Sequence, residues 1–188
     1  LFAQKQTSND SLVFSLKLMK EDTAKVNQLN KITLQYIHKD SIQSLHYAIK
    51  AIQLSKQLKW KDGIAKSNFC LGTFYNAHLN YDKALIYFHH SLKTDKQELL
   101  SKSLQSIGGI YTNICNYSKA IDYNFRALKI DEASGNKEGI AKISANLGSI
   151  YYGMKDYSKA LRYFNKSALM YEKMRNNNDL AWVYRNMA

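Results

Sequence analysis

The chain repeats itself. The stretch from Asn146 to Phe164, Asn-Leu-Gly-Ser-Ile-Tyr-Tyr-Gly-Met-Lys-Asp-Tyr-Ser-Lys-Ala-Leu-Arg-Tyr-Phe, recurs twice upstream. Forty residues earlier, Gly148, Tyr151, Tyr157, Lys159, Ala160 and Tyr163 fall on Gly108, Tyr111, Tyr117, Lys119, Ala120 and Tyr123. A further 36 residues back they fall on Gly72, Tyr75, Tyr81, Lys83, Ala84 and Tyr87. Self-similarity at such a period marks a stacked array of small units, none of which buries its apolar face alone. This excludes most single-core folds before any other property is considered.

Each unit reads as two helices. Leu147, Gly148, Ile150 and Tyr151 keep one apolar stripe at helical spacing, followed by a second stripe through Ala160 and Phe164. Glycine inside a helix costs about 1 kcal/mol relative to alanine, so three in register need a reason. Close approach of two helix backbones is the expected one, with Ala84, Ala120 and Ala160 as the matching small residues. The tyrosines and phenylalanines then fill the space around them as core.

Leu147-Gly148, Tyr151, Tyr157, Ala160 and Phe164 resemble the tetratricopeptide repeat, as do Leu71-Gly72, Tyr75, Tyr81, Ala84 and Phe88. The middle copy has Ile107-Gly108, Tyr111, Tyr117, Ala120 and Ala127, with Asn124 in place of the phenylalanine. The chain contains no proline, and Lys96, Glu132 and Glu172 stand where the family has its closing Pro. Together with the long period, this implies a second helix that runs on before turning. The resemblance implies an all-α, right-handed superhelical solenoid of antiparallel helix pairs, about four repeats with the last truncated. The expected divisions are an N-terminal segment over 1–20 and a solenoid over 21–188, with repeats at 25–60, 65–97, 101–135, 141–176 and a partial one at 179–188.

From the N-terminus, Leu1-Phe2-Ala3-Gln4 resembles the end of a secretory signal, which would make the rest exported, on the periplasmic side of a membrane-anchored protein; otherwise the chain is cytoplasmic. Asp10 to Met19 reads as a short packing helix through Leu12, Val13, Leu16 and Met19. Asp22-Thr23 opens a first helix reaching about His38, and Ser41 is the expected cap of the second. The pair aligns as a degenerate terminal repeat. The segment from Asp22 to Asn30 resembles the opening of bacterial signalling proteins that carry such repeats as sensors, histidine kinases or LuxR-type regulators among them.

Residues 59–63 and 134–139 read as turns between repeats from their Gly and Asn content. Asn80, Asn116 and Asp156 mark the tight turns within repeats, as residues that tolerate left-handed backbone. The loop over 175–178 precedes a further first helix, in which Ala188 takes the position of Gly148. The chain is therefore read as part of a longer protein.

Chemistry-bearing motifs are few. His38, His46, His78, His89 and His90 show no metal-ligand spacing and read as solvated or packed. Cys70 and Cys115 lie in no redox or zinc motif and read as two buried free thiols. Gly108-Gly109 sits within a helix and is no phosphate loop. No catalytic constellation, cofactor signature or apolar run long enough to span a membrane is present in the sequence. This stretch is thus expected to be no enzyme and to need no cofactor, while the full-length protein is left open, a histidine kinase included.

One row points to binding. Lys66, Lys102 and Lys142 each precede the repeat glycine by six residues. By the family resemblance that position faces the concave groove. Phe69, Thr73 and Asn76, then Gln105, Gly109 and Thr112, then Ala145, Ser149 and Tyr152 share those helix faces, and Asn146 matches an asparagine that some family members use to clamp a carboxylate. Ammonium groups beside small polar residues suit an acidic peptide or its C-terminal carboxylate. The expected partner is accordingly a protein or peptide, acidic in character. The net charge of +12 admits three further readings: a basic solenoid for nucleic acid, one for an anionic membrane surface, or a Lys- and Asn-rich composition that keeps the solenoid in solution, the last being the preferred one. No nucleic-acid motif accompanies the scattered lysines, so nucleic acid is the lesser of these expectations.

Overall fold

The computed structural model describes residues 13–16 and 18–187, and it is all-α over that span. The helices are α1 Thr23–Tyr36, α2 Ser41–Gln57, α3 Lys61–Ala77, α4 Tyr81–Ser91, α5 Gln97–Asn113, α6 Tyr117–Ser134, α7 Lys137–Gly153, α8 Tyr157–Lys173 and α9 Asn177–Met187. They form two compact units, one up to Lys96 and one from Gln97. In the first, α1 pairs with α2 and α3 with α4, and α3 also packs on α1 and α2. In the second, α5 pairs with α6 and α7 with α8, α7 packs on α6 and α5, and α9 closes on α8. Each unit is thus a series of antiparallel helix pairs stacked as in tetratricopeptide-like solenoids. The possible signal remnant, Asp10, Leu12 and Ala188 lie outside the described residues.

The helices stop by one recurring device. The amide of Asn80 donates to Tyr75 O at 2.9 Å and that of Leu79 to Asn76 O at 3.0 Å. The same two bonds close α5 at Asn116 and Cys115, and α7 at Asp156 and Lys155. This is the Schellman pattern, whose turning residue adopts left-handed backbone. That residue is Leu79, Cys115 or Lys155, with φ of 57°, 59° and 62°. Asn80, Asn116 and Asp156 take another task, accepting the amide of the third residue on as N-caps. The left-handed assignment therefore moves back by one residue, because a capping side chain needs negative φ to reach its amide. Cys115 is consequently exposed at a turn tip, whereas Cys70 is buried in α3.

The turns between pairs are shorter than expected. Lys59 and Gly135 are their left-handed residues, and Gly63 and Gly139 already belong to the first turns of α3 and α7. Asp22 caps α1 as expected, but the cap of α2 is Asp40 rather than Ser41. The second helices do run on in α6 and α8, through Glu132 and Glu172. In α4 they do not: the helix ends at Ser91, and Thr94 turns the chain, its hydroxyl accepting the Lys96 amide at 3.1 Å and donating to Asp62 at 3.2 Å. The missing helical turn in α4 accounts for the shorter of the two sequence periods.

The repeat glycines admit side chains rather than backbone. A Cβ on Gly72 would lie 2.6 Å from the Phe88 ring, and one on Gly148 would lie 2.7 Å from Phe164. In the middle copy a Cβ on Gly108 would lie 2.5 Å from the Asn124 amide nitrogen. Asn124 is fully buried and donates to Ala120 O at 2.8 Å, so the polar replacement is satisfied on its own helix. The tyrosines sit at the edge of this core. Tyr75 stacks on Tyr87, Tyr111 on Tyr123 and Tyr151 on Tyr163, with ring centroids 5.3, 5.6 and 5.4 Å apart. Lys83, Lys119 and Lys159 lie over the first ring of each pair. These half-buried pairs clamp each hairpin from outside.

Candidate functional site

The exposed faces of α3, α5 and α7 carry the residues singled out from the sequence. A short-range pattern on those faces sets their chemistry: each lysine follows a carboxylate by four residues, as Asp62 and Lys66, Glu98 and Lys102, Glu138 and Lys142. That spacing puts acid and base on one helix face. Each of these faces therefore carries both signs of charge instead of a bare ammonium group.

In the first unit, Lys66 Nζ donates to Asn27 Oδ1 of α1 at 2.8 Å. Its acidic neighbour Asp62 is engaged elsewhere, with Thr94 and with Lys96 at 3.7 Å. Phe69 is half-buried, its ring 5.6 Å from that of Phe88. Thr73 Oγ1 donates to Phe69 O at 2.9 Å, and Asn76 is half-buried with its Oδ1 unpartnered.

In the second unit, Lys102, Gln105 and Lys142 come together. They line a cleft of about 390 Å³ with Glu98, Ser134, Asn136, Glu138 and Gly139. Its walls are the N-terminal halves of α5 and α7, and its back is the end of α6 and the turn that follows. Lys102 is held by Glu98 at 2.6 Å, while Lys142 enters no ion pair among the described residues. Gln105 is 8% exposed, and its Nε2 donates to Ser101 Oγ at 3.1 Å and to Asp131 at 3.3 Å.

The other predicted residues of this unit lie away from the cleft. Thr112 and Ser149 donate their hydroxyls to Gly108 O and Ala145 O within their own helices. Asn146 is half-buried and donates to Asn124 of α6 at 3.4 Å. Tyr152 is exposed, packed edge-on against Tyr157 at 5.6 Å. Gly109 has open space around it and Ala145 is buried.

Asp131 of α6 was not singled out from the sequence, yet it holds two residues of the cleft, Gln105 and Asn136. It is 1% exposed. Its carboxylate accepts from Gln105 Nε2 at 3.3 Å and from Asn136 Nδ2 at 3.1 Å. Gly139 makes room for it, since a Cβ there would lie 2.1 Å from Asp131 Oδ2. The signal was present: Asp131 continues the inward stripe Ala120, Asn124, Ala127, Leu128 at helical spacing, where a carboxylate needs an explanation.

Among the described residues, no group of three or more His, Cys, Asp or Glu is placed to hold a metal, and no helix is long and apolar enough to cross a membrane. Burial pushes the Cys70 thiol up to about 12, which leaves it protonated and unreactive.

Comparison with known proteins places this geometry. Residues 99–173 match the tetratricopeptide repeat family. No curated protein matches the chain in sequence. Among solved structures, a signal transduction ATPase with numerous domains (STAND) from Pyrococcus horikoshii, with a tetratricopeptide repeat sensor, is similar with a TM-score of 0.78 at 21% identity, over 92% of this chain and 28% of that one. The apo form of RapI is similar with a TM-score of 0.79 at 22% identity, over 94% of this chain and 66% of that one. A Rap protein complexed with competence and sporulation factor gives 0.66 at 16% identity, over 94% of this chain and 55% of that one. The chain spans less than two thirds of each of these, and the likeness is one of fold, a tetratricopeptide-like repeat array.

Proposed function

We propose that this chain is a protein- or peptide-binding scaffold, and that it serves as the sensory or interaction domain of a larger bacterial signalling protein. One observation carries the reading. In the second unit the exposed faces of α5 and α7 present an acid–base pair at the same position, Glu98/Lys102 and Glu138/Lys142, and α3 of the first unit carries the equivalent Asp62 and Lys66, while the opposite faces of those helices are spent on the core. Within a unit, stacked repeats offer such a recurring face to a partner. Charged groups of both signs at fixed intervals select among partners more than they add raw affinity. The fold neighbours support the setting by analogy: one carries its repeats as a sensor in a signal transduction ATPase, and another is complexed with competence and sporulation factor. Export to the periplasmic side of a membrane-anchored protein belongs to the same proposal and rests on Leu1-Phe2-Ala3-Gln4.

Panning the immobilised chain against random linear peptides tests it. Captured peptides are expected to lose about tenfold in affinity on Lys102→Glu or Lys142→Glu. Lys166→Glu, on the exposed side of α8, should leave them unchanged. The opposite ranking, or no captured peptide sensitive to either face, overturns the proposal.

A further inference from the structure

In the second unit, the turns that close α5 and α7 hold apolar side chains out in solvent. Ile114, Tyr152, Met154, Tyr157 and Leu161 are each between 47% and 60% exposed, and Cys115 is exposed as well. Single apolar residues on a surface need no explanation, but a joined patch of them does. These are joined. The Tyr117 ring lies against Gly153, where a Cβ would be 2.7 Å from the tyrosine hydroxyl, so this ring ties the turn after α5 to the turn after α7. Cys115 shares a hydrogen bond with Tyr117. Tyr152 packs edge-on against Tyr157 at 5.6 Å, and Leu161 follows Tyr157 by one helical turn.

Two further features decide what covers this edge. Its charge is positive. Lys119, over the Tyr111 ring, and Lys155 are exposed and enter no ion pair among the described residues. The one carboxylate between 113 and 119 or between 153 and 159 is Asp156. It is spent on its own helix, accepting the Lys159 amide at 3.1 Å and pairing with Lys159 Nζ at 2.8 Å. The second feature is the backbone. The amides of Ile114, Cys115 and Asn116 donate to Ile110, Thr112 and Tyr111, and those of Met154, Lys155 and Asp156 to Ile150, Tyr152 and Tyr151, all at 2.8 to 3.1 Å. Turns with paired amides can leave water without the penalty that keeps irregular backbone out of lipid.

We propose that this edge of the second unit docks on an anionic lipid surface, with Ile114, Tyr152 and Met154 entering the headgroup layer and Lys119 and Lys155 meeting lipid phosphates. Tyrosine favours that layer because its ring is apolar and its hydroxyl stays wet. Each lysine held near an anionic surface adds several-fold to binding. A protein partner fits the same residues less well, since lysine is depleted in protein interfaces. The surface is also made of projecting turns, which enter a soft layer more readily than they complement a fixed one. The proposal is independent of the peptide-binding face on α5 and α7.

The test uses the 188-residue chain and extruded phosphatidylcholine vesicles, with or without about 30% phosphatidylglycerol. Co-sedimentation is expected with the anionic vesicles only. Cys115 supplies a depth probe, because its thiol is exposed while that of Cys70 is buried. A polarity-sensitive fluorophore on Cys115 should shift to the blue on binding and be quenched by doxyl-labelled lipid. Lys119→Gln with Lys155→Gln should weaken binding about tenfold or more. Lys129→Gln with Lys166→Gln, at exposed positions of α6 and α8, removes the same charge away from the turns and should weaken it by a much smaller factor. Met154→Asp should lower binding about tenfold as well, by placing a carboxylate in the patch. Absence of binding, equal binding to neutral vesicles, equal losses in the two lysine double variants, or a label that stays unquenched in the bound chain overturns the proposal. A blue shift that grows with protein concentration in the absence of lipid, and is removed by Met154→Asp, overturns it in favour of a second copy of this chain.

Discussion

At the scale of single residues, backbone sign decides roles that composition blurs. Among the described residues, five other than glycine take left-handed φ at helix ends: Lys59, Leu79, Cys115, Lys155 and Arg175. Each bears the steric cost that L-residues meet there, about 1 kcal/mol or somewhat more. Gly135 is the exception, at φ 69° with nothing within 4 Å of an added Cβ. Gly135→Ala therefore isolates backbone strain from packing and is expected to lower stability by about 1 kcal/mol in urea unfolding. Lys155→Gly, in the mirror experiment, should be neutral or slightly stabilising, because relief of strain is offset by the greater freedom of glycine in the unfolded chain. A loss on Lys155→Gly as large as that on Gly135→Ala would contradict the account of these turns.

At the scale of the helix pair, volume is exchanged across the hairpin. Gly72 and Gly148 receive the rings of Phe88 and Phe164, and Gly108 receives the shorter Asn124 amide. Helix propensity alone predicts that Gly72→Ala stabilises α3 by about 1 kcal/mol. The ring 2.6 Å from the new Cβ predicts the opposite, and overpacking of this kind costs about 1–3 kcal/mol. Gly72→Ala should therefore unfold at lower urea concentration than wild type, and Gly72→Ala with Phe88→Leu should recover part of the loss. The outcome separates packing from propensity at a position where the two disagree. The same pairwise logic explains α4: its helix stops at Ser91 because Thr94 and Asp62 provide a different stop, not because the register of the repeat fails.

At the scale of the whole molecule, both units share a vulnerability to alkali. Burial raises the Cys70 thiol from 9.0 to about 12 in the first unit, and burial, with Asp179 and Glu138 adding to it, raises the Tyr171 hydroxyl from 10.0 to about 12 in the second. The folded state holds these protons more tightly than the unfolded chain. Their contribution is therefore complete below the unfolded values and is lost as pH rises through the folded ones. Stability should fall from about pH 9 upward, with a slope of at most about 1.4 kcal/mol per pH unit for each group. Urea midpoints at about pH 8 and about pH 10.5 check this, and the decline should be shallower in Cys70→Ala. An equal decline in that variant would remove Cys70 from the account.

The amino-acid sequence by itself determined the helix pairs, their period and their stacking partners, because small and large residues at fixed spacing can satisfy one another only in such an array. It also placed Lys102, Gln105 and Lys142 on helix faces that turn out to share a cleft. Local spacing reaches that far, since residues three and four apart on a helix must be neighbours. Tertiary structure alone decided how those groups are held. Asp131 lies 26 residues from Gln105 along the chain, and only the packing of α6 behind α5 and α7 sets its carboxylate against that amide. Burial fixes which groups cannot turn away, and burial is a property of the packed hairpins rather than of any one helix.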